Sequence, residues 1–186
     1  MVELESVVKR LDEIKRFFSQ DNSMQLRSIG NNAIREAAIY NDKVLAEISL
    51  IAYCLHKLLT KEHILSNPKW NSVKKTILDS IETSIQCIKR NELESFFDEL
   101  ESIIRNIQGI DSELGHFVSG LYDKSRVKNA AEAYSFGMSL SQAADLTGAD
   151  KKDVLMYIGY TTTHDESKTS MGIGERLRQL KELMSG

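Results

Sequence analysis

Apolar side chains recur in steps of three and four along most of the first 120 positions, and that spacing constrains the fold more than any other feature. Such steps return a residue to the same side of an α-helix, whereas a half-buried strand needs every second residue. Leu4, Val7, Leu11, Ile14 and Phe18 form the first stripe, with Lys9, Arg10, Asp12, Glu13, Lys15 and Arg16 outside it. The spacing predicts a helix that stops near Asp21-Asn22-Ser23. It is too short for a coiled-coil seam, so bundle packing is expected. A second stripe runs from Met24 to Leu59 through Ile29, Ala33, Ala37, Tyr40, Val44, Ile48, Ile51, Leu55 and Leu58. Its weak points are Gly30-Asn31-Asn32 and Tyr40-Asn41-Asp42, so it reads as one long helix or as two meeting at Asn41-Asp42. Leu45 to Leu59 is apolar around most of its circumference and should be the most buried element.

Asn67-Pro68 is a helix start signal, because asparagine caps free N–H groups and proline suits the first helical position. Trp70, Val73, Ile77, Ile81, Ile85 and Ile88 mark the next helix, ending at Arg90-Asn91. Asn91 and Glu94 have the spacing of a capping box, which would open another. Leu93, Phe96, Phe97, Leu100, Ile103, Ile104 and Ile107 give that helix one apolar face, and Gly109 is placed to end it. Asp111 or Ser112 would then begin a further helix, through Leu114, Phe117, Val118, Leu121 and Tyr122. The chain holds a single proline and ten glycines in 186 residues, too little punctuation for a β-sandwich. The expected fold class is all-α, with a helical bundle over residues 1–124.

Charge narrows the partners. The formal net charge is −3, so no bulk positive field draws the chain to nucleic acid or anionic lipid. Residues 1–122 hold 15 Lys/Arg against 18 Asp/Glu, and residues 123–186 hold 9 against 9. The C-terminal third is therefore less acidic than the body without being basic. Cys54 and Cys87 lie within apolar helical patterns and read as buried, reduced thiols. The sequence MVELESVVKRLDEIK has early acidic residues and no apolar h-region, so no secretory signal is expected there. No segment has the apolar length of a membrane span. The expected location is cytoplasmic, away from membranes.

Beyond Ser125 the texture changes. Ala130, Ala131, Ala133, Ala143, Ala144 and Ala149 replace leucine and isoleucine, and Gly137 and Gly148 punctuate. Small residues let helices approach closely, as a compact three-helix unit over 125–160 requires. Residues 161–171, rich in Thr and Ser, read as a polar linker. A terminal amphipathic helix over 172–186 would place Ile173, Leu177, Leu180 and Met184 on one face.

Within the alanine-rich unit, MSLSQAADLTGADKKDVLMYIG reads as helix, tight turn, helix. Ser139 caps the first helix, Leu140, Ala143 and Ala144 form its inner face, and Gly148 supplies the turn. Val154, with Tyr157 or Ile158, would anchor the second helix. With the preceding helix, Arg126 to Phe136, the stretch over residues 126–160 resembles the helix-turn-helix segment of small antitoxin-type and transcription-regulator proteins of prokaryotes. Some of those occur beside PIN-domain nuclease toxins. The resemblance implies double-stranded DNA binding, with Ser141, Gln142, Lys151 and Lys152 as contacts, and a homodimeric regulator whose bundle dimerises or senses. It also implies a protein partner such as a toxin. Asp150 and Asp153 oppose the two lysines, and the second helix offers no Arg, Asn or Gln to base edges. Leu155 and Met156 on its outward face suit protein contact, so an interaction or scaffold module using these residues with Ile173, Leu177 and Leu180 is the alternative.

No catalytic, metal or cofactor constellation emerges, and the expectation is a non-enzyme. His56, His63, His116 and His164 are far apart and lack metal-ligand spacing. Cys54 and His56 are two residues apart, so on a helix they point in different directions and form no nucleophile–base pair. Gly172-Ile173-Gly174 has neither a preceding strand nor a P-loop lysine. Trp70, Phe96 and Phe97 sit at core spacing.

Overall fold

The computed structural model describes residues 4–114 and 120–169, with backbone alone for 109–114 and 162–169. The described residues are all helical apart from their connections. The helices are α1 (Leu4–Ser19), α2 (Ser23–Tyr40), α3 (Lys43–Leu59), α4 (Glu62–Leu65), α5 (Trp70–Lys89), α6 (Leu93–Leu114), α7 (Leu121–Ser135), α8 (Leu140–Thr147) and α9 (Lys151–Thr169). The fold class read from the stripes is therefore the fold class observed. Among the described residues no helix is long and apolar enough to cross a membrane.

One device shapes three of the helix connections. Asp21, Asn41 and Asn91 adopt φ of 54°, 51° and 61°, the left-handed region that Asx residues tolerate best among non-glycines. After the first, Asn22 caps α2 by accepting from the Gln25 N–H at 3.2 Å. After the second, Asp42 caps α3 by accepting from the Val44 and Leu45 N–H groups. The long stripe of residues 24–59 is thus two helices meeting at Asn41-Asp42. After the third, the Glu92 N–H reaches back to the Cys87 carbonyl at 2.9 Å. Asn91 accordingly terminates α5 and is not the cap of a box with Glu94. The left-handed turn claims its backbone first.

α3 is the hub, touching α1, α2, α4, α6, α7 and α8. Leu45, Ile48, Ile51, Ala52, Leu55 and Leu58 are fully buried, as its all-round apolarity predicts. Around it Leu11, Ile14 and Phe18 of α1, Leu26 and Ile34 of α2, Ile77, Ile81 and Ile85 of α5, and Phe96, Leu100 and Ile103 of α6 close one core. Trp70 meets Phe18 edge-on at 6.1 Å, seating α5 on α1. Asn67-Pro68 sits slightly ahead of its helix: the Asn67 side chain accepts from the Lys69 N–H, and α5 begins at Trp70. α2 and α3 approach closely at Gly30, whose carbonyl accepts from Ser49 Oγ at 2.8 Å. A Cβ there would lie 3.3 Å from the Ser49 carbonyl oxygen.

Several expected boundaries move. α6 passes through Gly109 to Leu114, because one glycine costs a helix only about 1 kcal/mol and is no obligatory stop. Leu121 and Tyr122 open α7 and do not end an earlier helix, so the division at 124/125 falls inside α7. The same core continues into Ala130, Ala133, Ala143, Leu146 and Val154. The linker expected over 161–171 is helical as far as Thr169. Thr161 Oγ1 returns to the Tyr157 and Ile158 carbonyls at 3.1 and 3.0 Å, so its polarity is satisfied within the helix. His116, Phe117, Val118, and the terminal helix with Ile173, Leu177, Leu180 and Met184 lie outside the described residues.

Candidate functional site

α7, α8 and α9 pack on one another, and α7 is bound to the bundle by buried polar links. Asn129 Nδ2 donates to Ser49 Oγ at 3.0 Å, which itself donates to Gly30, so one chain of hydrogen bonds crosses α7, α3 and α2. Cys54 Sγ lies 3.5 Å from Ser125 Oγ, and burial pushes the thiol pKa up to about 12. Cys54 and Cys87 are both buried and unbonded to sulfur, matching the reading of reduced core thiols. A thiol with the Cys54 pKa is no nucleophile at neutral pH.

The α8–α9 hairpin is built as its residues dictate. Ser139 Oγ accepts from the Gln142 N–H at 3.2 Å, while Gln142 Oε1 accepts from the Ser139 N–H at 3.0 Å, a reciprocal capping box. Ala143 and Ala144 are buried on α8, which packs against α7, α9, α3 and α2, and larger side chains there would hold the helices apart. Gly148 turns the chain at φ 67°. The Arg126 guanidinium fills the space beside it, with Nη2 2.6 Å from where a Cβ would stand. Arg126 also lies over the Tyr122 ring at 4.7 Å. Behind it a polar cavity of about 190 Å³ is shared with Lys43, Glu47, Asn129 and Asp145. Burial, then the Glu101 charge, raises the Glu47 carboxyl pKa, and Arg126 and Lys43 pull it back.

Lys151, Lys152, Leu155 and Met156 are all exposed on α9. Val154 is fully buried and Ile158, four residues on, is half-buried; Ile158 and not Tyr157 is the second anchor. This narrow i, i+4 seam leaves Leu155 60%, Met156 55% and Tyr160 69% exposed. Asp150, also exposed, caps α9: its Oδ1 accepts from the Lys152 and Asp153 N–H groups at 2.8 and 3.3 Å. Its charge is thereby directed at the positive end of the helix. Ser141 and Gln142 are exposed as well, but they start α8, a helix length away from the turn that carries Lys151 and Lys152. Gln142 has committed its oxygen to the cap, leaving its amide N–H groups outward.

Residues that no local pattern singles out lie beside this helix. Tyr53 of α3 carries Lys128 Nζ at 4.2 Å and Lys57 Nζ at 5.6 Å from its ring centroid. The His56 ring is 6.0 Å away, and His56 Nδ1 donates to the Ser23 carbonyl at 2.8 Å, fixing that tautomer. Burial lowers the His56 pKa, so the ring is neutral at neutral pH. Among the described residues no cluster of His, Cys, Asp or Glu could hold a metal ion. Compared with protein-family models, curated proteins and solved structures, the chain matches none.

Proposed function

We propose that the chain is a DNA-binding regulator of antitoxin-like type that sets α9 against double-stranded DNA. The observation that carries the reading is the exposure of Lys151 and Lys152 at the start of α9, where Asp150 caps the helix through one carboxylate oxygen. Asp150 and Asp153 still flank the pair, and the positive end of α9 offsets part of the Asp150 charge. Ser141 and Gln142 add donors at the start of α8, and the bundle serves dimerisation or sensing in the cytoplasm. Fluorescence anisotropy with a random-sequence duplex tests it. Affinity should fall steeply as salt rises, each phosphate contact contributing a slope of about −0.9 in log K against log salt. The double variant Lys151→Glu with Lys152→Glu should abolish binding. Binding indifferent to salt, or to that charge reversal, would refute it.

A second reading is favoured by a separate observation, the exposure of Leu155 and Met156. In this reading α9 captures a protein partner, such as a toxin, with help from Ile173, Leu177 and Leu180. Capture would then be insensitive to salt and lost on Leu155→Asp, with Lys151→Glu and Lys152→Glu harmless.

A further inference from the structure

Between α3, α7 and α9 runs a groove of about 490 Å³, a volume within the range of small-ligand sites. Tyr53, Lys124, Lys128, Met156, Tyr157 and Tyr160 line it. At the Tyr53 end, Lys128 of α7 and Lys57 of α3 both stand over the Tyr53 ring, at 4.2 and 5.6 Å, and Arg27 of α2 is near enough for its charge to act on Lys128. Arg27 and Lys57 both act to depress the Lys128 pKa, after burial, and Glu132 alone opposes them. Among the described side chains none of Arg27, Lys57, Lys124 or Lys128 is in an ion pair within 4.0 Å. Val127, Asp123 and Asp153 share the walls with the tyrosine rings and the Met156 thioether, and the rings offer a surface that a flat apolar group can cover.

Crowded like charges on a half-buried surface raise the free energy of the empty site, and an anion relieves them. Asp123 and Asp153 also line the groove, but neither is among the charges that act on Lys128, so an anion is favoured at the Tyr53 end, where Lys57 and Lys128 meet over the ring. The ring of the same molecule then falls against Tyr157 and Tyr160. We infer that this groove binds a small anionic ligand bearing a planar aromatic ring, of which a nucleoside monophosphate is the simplest example. The site uses none of the lysines at the α8–α9 turn, so it stands apart from the reading of α9 as a DNA contact. It does share α9 with that surface, which makes it a place where a ligand could be sensed.

Calorimetric titration of the full chain with adenosine 5′-monophosphate tests the inference. Saturable one-to-one binding is expected, weakened about tenfold by Lys128→Met and again by Tyr157→Ala, the loss of one good contact each. Lys57→Met provides an independent third variant, and circular dichroism of each confirms the fold. Lys151→Glu with Lys152→Glu should bind the nucleotide as the parent does while losing DNA, so the two readings fail separately. Inorganic phosphate and adenosine should each bind more weakly than the nucleotide. Absence of saturable binding, binding unchanged in all three groove variants, or phosphate binding as tightly as the nucleotide would overturn it.

Discussion

The bundle and the alanine-rich hairpin solve the same packing problem in opposite ways. α1 to α6 bring leucine, isoleucine and phenylalanine to a shared interior, so helix separation is set by large interlocking side chains. α7 to α9 bring Ala130, Ala133, Ala143 and Ala144, so three helices draw close with little apolar material between them. The consequence shows in the residues left outside. Exposed apolar residues of the bundle, such as Met24, Ile39, Leu65 and Leu93, fall singly or in pairs at or near helix ends. On α9, Leu155, Met156, Tyr157 and Tyr160 crowd into six positions, held to the body by Val154 and Ile158. Over residues 151–161, α9 thus leaves most of its side chains exposed. Isolated exposed hydrophobes need no explanation, but a contiguous set does.

Four substitutions put this contrast under strain. The largest effect belongs to the bundle: Leu55→Ala, at the centre of α3, should cost about 2–5 kcal/mol in urea unfolding through the cavity it leaves. In the hairpin the reverse change should hurt. Ala143→Leu should cost about 1–3 kcal/mol by forcing α8 from α7, and near-neutrality there would mean the close approach is not required. Glu47 tests the polar seam between the two regions by its pH dependence. Its folded pKa is raised above the ordinary carboxyl value of 4.5, so its protonated form favours folding, and that contribution is lost as pH rises through the folded pKa. Glu47→Gln should therefore raise the melting temperature at pH 7, and the difference should vanish below about pH 4.5. The smallest effect is expected on the outer face of α9. Leu155→Asp should alter monomer stability by no more than about 0.5 kcal/mol, and a larger loss would show that the face is packed.

Much of this fold is legible in the sequence because its signals are local. Stripes in steps of three and four name most of the buried residues of α1, α3, α5 and α6, but Leu4, Leu93 and Phe97, read on the same stripes near helix starts, are exposed. The Asn41-Asp42 pair marks a helix break because Asn tolerates the left-handed turn and Asp caps α3. Ser139 and Gly148 frame α8 for similar reasons, and Ser139-x-x-Gln142 spells a capping box. The features that escaped local reading depend on competition or on distance. Asn91 could serve two helices and served the earlier one. Gly109 looked like a stop, yet α6 continues through it. The segment after Tyr160 looked like a linker because threonine and serine counted as polar, whereas Thr161 folds its hydroxyl back onto the helix. The groove lay beyond local reading altogether: Tyr53, Lys128 and Tyr157 come from three helices, and each taken alone resembles any surface residue.

The central claim is that the outward face of α9 is the working surface of the molecule. Hydrogen exchange along the backbone, compared with and without duplex DNA at low salt, addresses it directly. New protection should concentrate in residues 150–160 and at the start of α8, leaving α1 and α5 unchanged. Protection confined to the α1–α5 side, or none at all under conditions where the protein binds DNA, would contradict the account.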